Sequence, residues 1–264
     1  MKMEMNLREI WILIKRDFMT TRFFTPLSFP LVYLYVGGIV YGSLFRAVNV
    51  EGIDIAYPAF LAVGLIVIQV FQGASIASSM YWIDARVNML SQLKHLGYTS
   101  RAYYLSKLIT ILLLSIFNGF IFLLISFPVV FHTHGKGFVL TPSSITISVI
   151  ALLLCASIFT SFYFIIISLS EDPQTYNLIS TVTLFPIMFL SETFYPVGNL
   201  ISPYRYILRL NPLSLTSNIL RWSLLGIPGE SELYLALLFL FGFLMVVLSS
   251  LAFERSFEKR YGGV

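Results

Sequence analysis

Residues 137–170 read GFVLTPSSITISVIALLLCASIFTSFYFIIISLS, a run from Gly137 to Ser170 without one Asp, Glu, Lys or Arg. A helix needs about 20 apolar residues to cross a hydrocarbon core about 30 Å thick, and this run exceeds that length. Its blocks Leu152-Leu153-Leu154 and Phe164-Ile165-Ile166-Ile167 do not alternate, whereas membrane strands alternate outward and inward residues. The same charge-free character returns at 23–45, 55–83, 108–135, 173–191 and 233–253. Six transmembrane helices are expected, which makes the fold class all-α and polytopic. Residues 1–264 read as a single membrane domain without an internal repeat.

Composition agrees. Of 264 residues, 57% are hydrophobic and only 11% charged, and the mean hydropathy is +0.83. A soluble domain carries charge on about a quarter of its residues. Aromatic residues reach 16%, in keeping with belts at two membrane interfaces.

The charges are placed unevenly. Lys2, Arg8, Lys15, Arg16, Arg22, Arg86, Lys94, Arg101, Lys107, Arg255, Lys259 and Arg260 fall on the face that holds both termini. Arg46, Lys136, Arg205, Arg209 and Arg221 fall on the other. The positive-inside rule therefore puts both termini in the cytoplasm. The basic pI of about 9.1 follows from this topology, and no nucleic-acid partner is expected. The first apolar window starts near Phe23 and is too long for a signal-peptide core. Cys155 is alone, mid-span, and reads as a small core residue.

Three segments between the windows carry more than connection. Residues 1–22 contain an amphipathic stretch in which Asn6 and Glu9 stand at capping-box spacing. Leu7, Ile10, Trp11, Ile14 and Phe18 make its apolar face, with Arg8, Lys15, Arg16 and Asp17 away from it. It reads as an interfacial helix, or else as an extension of the first span. Residues 84–98 hold a short amphipathic helix with Met89, Leu90, Leu93 and Leu96 as its stripe and Arg86, Lys94 and His95 around it. Gly97 stops this helix, and Thr99 or Ser100 caps the next. Such a helix docks in a partner's groove or rests on the bilayer. Residues 193–226 are too apolar for a free loop and too interrupted for a span. Ser202-Pro203 and Asn211-Pro212 each start a short helix, the second ending at Gly226. Together they read as an external re-entrant hairpin, which at membrane depth must be buried in protein or line a wet cavity.

Catalytic signals are missing. There is no phosphate-binding loop and no GxSxG elbow. Gly135-Lys136-Gly137 is too short to be the former, and Ser75 beside Gly73 belongs to a small-residue packing face. His132 and His134 lack a third metal ligand and read as an exposed turn. The windows hold no intramembrane carboxylate of the kind that couples ion gradients. Glu192, at the outer end of the fifth window, is the nearest and reads as hydrated at the interface. The chain is thus not expected to be an enzyme or a self-powered transporter.

The stretch 189–200, FLSETFYPVGNL, followed by Asn211-Pro212-Leu213 and by Arg221, resembles the membrane subunit of type-2 ABC exporters, the drug, lipid and polysaccharide export permeases. Phe194, Tyr195, Pro196, Asn211, Pro212 and Arg221 match the family's outer hairpin. Glu192 stands where a small residue is usual. The resemblance extends to Lys15-Arg16 and to the polar connector with Ser100, Arg101 and Lys107. It implies a location in the plasma membrane and pairing with a second permease copy, identical or not. It also implies two separate ATPase subunits, which would hold the ATP and Mg; no cofactor is expected in this chain. Arg86, Met89, Leu90, Leu93, Lys94, His95 and Leu96 would then form the ATPase-coupling helix. Phe194, Tyr195, Pro196, Asn211, Pro212 and Arg221 would form the external gate over a greasy lateral path for an amphipathic, lipid-linked or drug-like substrate. The competing reading is a membrane scaffold or assembly protein.

Overall fold

Prolines and capping side chains decide where the helices begin. The computed structural model describes residues 7–20, 25–37, 40, 47–50, 53–134, 137–197, 202–227, 229 and 231–261. Helix α1 spans Leu7–Thr20, and α2 spans Thr25–Val32 and continues as a π-helical turn over Tyr33–Gly37. A hairpin of β1 (Ala47–Val50) and β2 (Ile53–Ala56) follows, pairing Ala47 with Ala56 and Val50 with Ile53. The remaining helices are α3 (Tyr57–Arg86), α4 (Met89–His95), α5 (Ser100–His134), α6 (Pro142–Leu169) and α7 (Pro173–Phe189). After these come α8 (Ser202–Arg209), α9 (Pro212–Leu225) and α10 (Ser231–Tyr261).

The caps act as their chemistry requires. Thr141 Oγ1 accepts from Ser144 N at 3.1 Å, and Ser144 Oγ accepts from Thr141 N at 2.9 Å, a reciprocal box at the start of α6. Asp172 starts α7 by accepting from the amides of Gln174 and Thr175 at 2.7 and 2.9 Å. The Thr175 amide and hydroxyl, with the Gln174 amide, hold the Asp172 carboxyl below its ordinary pKa. Gly97, at φ +88°, ends α4: Tyr98 N reaches Leu93 O and Gly97 N reaches Lys94 O, both at 2.9 Å. Thr99 rather than Ser100 caps α5, accepting from Ala102 N at 3.1 Å. The Asn6 cap lies outside the described residues, and so do the side chains of Glu9 and Ser202.

Helices α3, α5, α6 and α10 are long and apolar enough to cross a membrane. The window 23–45 holds α2 and its π-helical turn, with 38–39 and 41–45 outside the described residues. The window 173–191 forms α7, whose 17 residues extend about 26 Å at 1.5 Å per residue.

Helix α3 is the hub. From Tyr57 to Phe71 every side is buried, as expected of a helix that is apolar all round. It is surrounded by α2, α5, α6 and α9. Helix α10 lies at the rim, packed on α6 and showing Phe239, Phe243 and Leu248 outward. One end of the bundle gathers α1, α4 and the last turns of α10; the other gathers α8, α9 and the 191–197 turn. At the first end the Phe253 ring of α10 meets Tyr81 of α3 at 5.8 Å, Tyr103 of α5 at 6.0 Å and Phe164 of α6 at 5.1 Å. Arg260 closes the same end, donating to Ile167 O at 3.1 Å in the last turn of α6 and to Ser170 O just past it. Phe253→Ala should cost about 3–5 kcal/mol, the range for an emptied aromatic core site. The check is thermal melting of the purified protein, and an unchanged midpoint would place the anchor of α10 elsewhere.

Candidate functional site

Arg16, Asp17, Asp84 and Lys107 arrive from three helices and meet at one point. Helix α1 lays Ile10 and Ile14 on Ala102 and Ile109 of α5, and Asp17 continues that buried face one turn later. Lys107 Nζ sits 3.0 Å from Asp17 Oδ2 and 3.0 Å from Asp84 Oδ2. Arg16 reaches Asp84 Oδ2 at 3.0 Å and, through Nε, Asp17 Oδ1 at 2.9 Å. The Tyr103 hydroxyl donates to Asp84 Oδ2 at 2.7 Å. Burial works against the Arg16 charge, but Asp17 and Asp84 outweigh it and raise its pKa above the ordinary arginine value. Two cations and two carboxylates balance, so none is left as an uncompensated buried charge.

This corrects the reading of α1. Asp17 lies on the inward face, whereas Trp11 is exposed and stands outside it. The reason is the pairing: a face of Ile10, Leu13, Ile14 and Asp17 lets α1 bury a carboxylate against Lys107.

Helix α4 hangs from the same cluster. Asn88, in the left-handed region at φ 53°, turns the chain out of α3, and the Met89 thioether meets Arg16. The expected stripe divides. Leu90 is 0% and Leu93 7% exposed, both facing this chain's own core, while Leu96 is 73% and the preceding Val87 62% exposed. Leu96 is the C-terminal cap residue of α4, its amide still bonded to Gln92 O at 3.0 Å. Met89 is half-buried, and Arg86 and His95 are exposed. Lys94 Nζ pairs with Glu258 Oε2 of α10 at 2.6 Å, and Arg101 of α5 pairs with Glu254 at 2.9 Å. Helix α4 is thereby tied to α1, α3 and α10.

The other end has its own polar centre. Arg221 of α9 is 1% exposed. Its guanidinium lies 3.5 Å from the centre of the Phe60 ring and donates to Asn218 Oδ1 at 3.1 Å and Thr193 O at 3.1 Å. Glu192 is 5% exposed, which overturns its hydrated reading. Its carboxylate accepts from Asn218 Nδ2 and stands 3.5 Å from Arg209 Nε, and its amide donates to Ser214 Oγ at 2.8 Å. Gly64 of α3 makes the approach possible, since a Cβ there would lie 2.3 Å from Thr193 O. Asn211 ties the hairpin to α7: Oδ1 accepts from Leu213 N at 2.9 Å, and Nδ2 donates to Ile187 O and Leu190 O, both at 2.8 Å. Pro212 follows at the first helical position. The Phe194 ring is buried 5.3 Å from Tyr33, its carbonyl accepts from the Tyr57 hydroxyl at 3.3 Å, and Tyr195 donates to Phe189 O. Pro196 is half-buried. All six expected gate residues therefore gather around the 191–197 turn and α9.

Among the described residues no three His, Cys, Asp or Glu side chains gather as metal ligands. His132 is exposed, and the side chain of His134 lies outside the described residues. Cys155 is buried. Sequence reading missed the four-charge cluster. Its signal was present, because Asp84 and Lys107 are the first and last charges of the polar connector.

Two contrasts test these centres. Lys107→Met leaves two buried carboxylates with one cation and should cost about 3–5 kcal/mol. Lys94→Met, which breaks a more exposed pair, should cost about 0–1 kcal/mol. Equal melting midpoints for the two variants would contradict the buried cluster. Gly64→Ala should cost about 1–3 kcal/mol by overpacking, read as a lower melting midpoint, and a neutral result would contradict the close approach.

The comparisons with known proteins bear on these two ends. No curated protein matches the chain. A family model described as ABC-2 type transporter matches residues 8–225, from α1 through the cluster and α4 to the last residue of α9. The chain belongs to the ABC-2 type transporter family, as a membrane permease subunit.

Proposed function

We propose that this subunit forms the translocation path of an ATP-driven exporter, with a second permease copy beside it and two separate ATPase subunits at the end that carries α1 and α4. In this reading α2 and α7 complete six spans, both termini are cytoplasmic, and the protein lies in the plasma membrane. Helix α1 lies along the cytoplasmic leaflet with Trp11 toward the headgroups. The hairpin of α8 and α9 closes the external side, where Phe194, Tyr195, Pro196, Asn211, Pro212 and Arg221 act as the gate. The substrate is amphipathic, lipid-linked or drug-like, because the apolar interior offers burial at about 25 cal/mol per Å².

The observation that carries the reading is the division of α4. Leu90 and Leu93 hold it to the bundle, and Val87 and Leu96 stand exposed at its two ends. Val87 and Leu96 would supply the apolar contacts of a docking surface, and Arg86 and His95 its polar rim. A push on α4 passes through Met89 and Arg16 into the charge cluster, and through Lys94 into α10. Met89, Leu90, Leu93 and Lys94 thus transmit, while Arg86, His95 and Leu96 contact the ATPase.

The test is the double variant Val87→Asp with Leu96→Asp. It should retain the native melting midpoint yet lose co-purification of the P-loop ATPase and ATP-dependent transport. Undiminished co-purification and transport would overturn the assignment.

A further inference from the structure

The hairpin of α8 and α9 is held by two kinds of contact, one at its root and one farther along α9. At the root Asn211 serves backbone groups on both sides, accepting from Leu213 N and donating to Ile187 O and Leu190 O of the α7 end. Bonds this close to the Asn211–Pro212 junction permit α7 and α9 to swing about it. Farther on, Ser214, Ser217, Asn218 and Arg221 recur at intervals of three and four residues and are all buried, so they form one polar stripe. From Ser214 to Arg221 the stripe covers about 10 Å of helix at 1.5 Å per residue. It meets the 191–197 turn, where the Glu192 amide donates to Ser214 Oγ at 2.8 Å.

Charge holds the far end. The Arg221 guanidinium donates to Asn218 Oδ1 at 3.1 Å, and Asn218 Nδ2 donates to the Glu192 carboxylate. One amide thus bridges a buried cation and a buried anion that belong to different segments. Glu192 also pairs with Arg209 of α8 at 3.5 Å, so its carboxylate joins the turn after α7 to both helices of the hairpin. Separating buried charges while they stay dry leaves each one uncompensated, which is strongly unfavourable. Two states avoid that cost: shut and dry, or open with both charges hydrated. Partial opening strands a charge, so the contact gives way all at once. Helix α7, on the other side of the contact, buries Tyr176, Ser180 and Met188 out of 17 residues and offers little resistance to moving.

We infer that Glu192, joined through Asn218 to Arg221, is the catch that holds this hairpin shut, with Asn211 as its pivot. The inference rests on the reading of the hairpin as an external gate, but the shut state needs neither ATP nor an ATPase subunit.

The test places a reporter thiol by Ser217→Cys, a buried site whose hydroxyl has no hydrogen-bond partner among the described residues. The native Cys155 is buried and stays in place. A membrane-impermeant maleimide is applied to the external side of sealed vesicles that hold the full chain, without nucleotide. Glu192→Gln, which keeps the shape and removes the charge, should speed labelling about tenfold or more, the weight of one charge-assisted hydrogen bond. Asn218→Leu should also speed it, and the double variant should label no faster than Glu192→Gln alone, because both changes break one bridge. Asp54→Asn, at an exposed carboxylate of the β1–β2 hairpin, should leave the rate as it was. Unchanged labelling in Glu192→Gln, or increases that multiply in the double variant, would overturn the catch. So would a parallel rise at a second reporter, Ser78→Cys, buried in the opposite half of α3, since that would mean general loosening. ATP added to the complete transporter should speed labelling without any change at Glu192. If it does not, while Glu192→Gln still labels faster, the export reading fails and the catch stands.

Discussion

Lys107 and Asp17 each expose about 1–2% of their side chains, 3.0 Å apart, and much of this fold follows from where that pair sits. Charges removed from water survive only with partners, because the desolvation of each is several kcal/mol. Asp84 and Arg16 supply the remaining partners, so four charges from α1, α3 and α5 have one satisfactory arrangement. That arrangement fixes the angle at which α1 meets the bundle and the point at which α3 gives way to α4. Apolar packing alone would let α1 slide along α5; an ion cluster of fixed geometry does not.

The opposite end solves a different problem with similar means. There the chain has to break helices near the membrane without leaving backbone groups unpaired. Asn211 serves three of them at once, one amide at the start of α9 and two carbonyls at the end of α7. Arg221 takes the Thr193 carbonyl in the intervening turn, and Gly64 brings α3 close enough for that turn to close. Helix α3 touches both centres, Asp84 at one end and Phe60 with Gly64 at the other. A shift of α3 along its axis would disturb both together.

The long helices were legible because charge-free windows leave few alternatives. Caps were legible where chemistry is specific: Asn211 begins a helix, and Gly97 and Gly226 each end one, as their residue types dictate. The four-residue stripe of α4 was legible only as a period, since periodicity shows which residues share a face but not what that face meets. Leu90 faces the core, whereas Leu96, at the C-terminal cap of α4, is exposed. The same limit hid Asp17, which the amphipathic pattern of α1 assigned to the polar side. Glu192 was misread because sequence position at a window's edge suggested water, whereas Asn218 and Arg209, distant in sequence, enclose it. The β1–β2 hairpin was not anticipated. It covers the gap between two charge-free windows together with the start of the second, and its strands are only four residues each.

Under the proposed coupling, the ends of α1, α3, α4 and α5 move as one body when an ATPase subunit pushes on α4. The most direct measurement of this is the distance between spin labels at the exposed positions Ile12 of α1 and Gln92 of α4, taken in the complete transporter without nucleotide and with ATP trapped. The account predicts one narrow distance distribution, unchanged between the two states. A distribution that broadens or shifts on ATP binding would show that α4 moves independently of α1, and would contradict it.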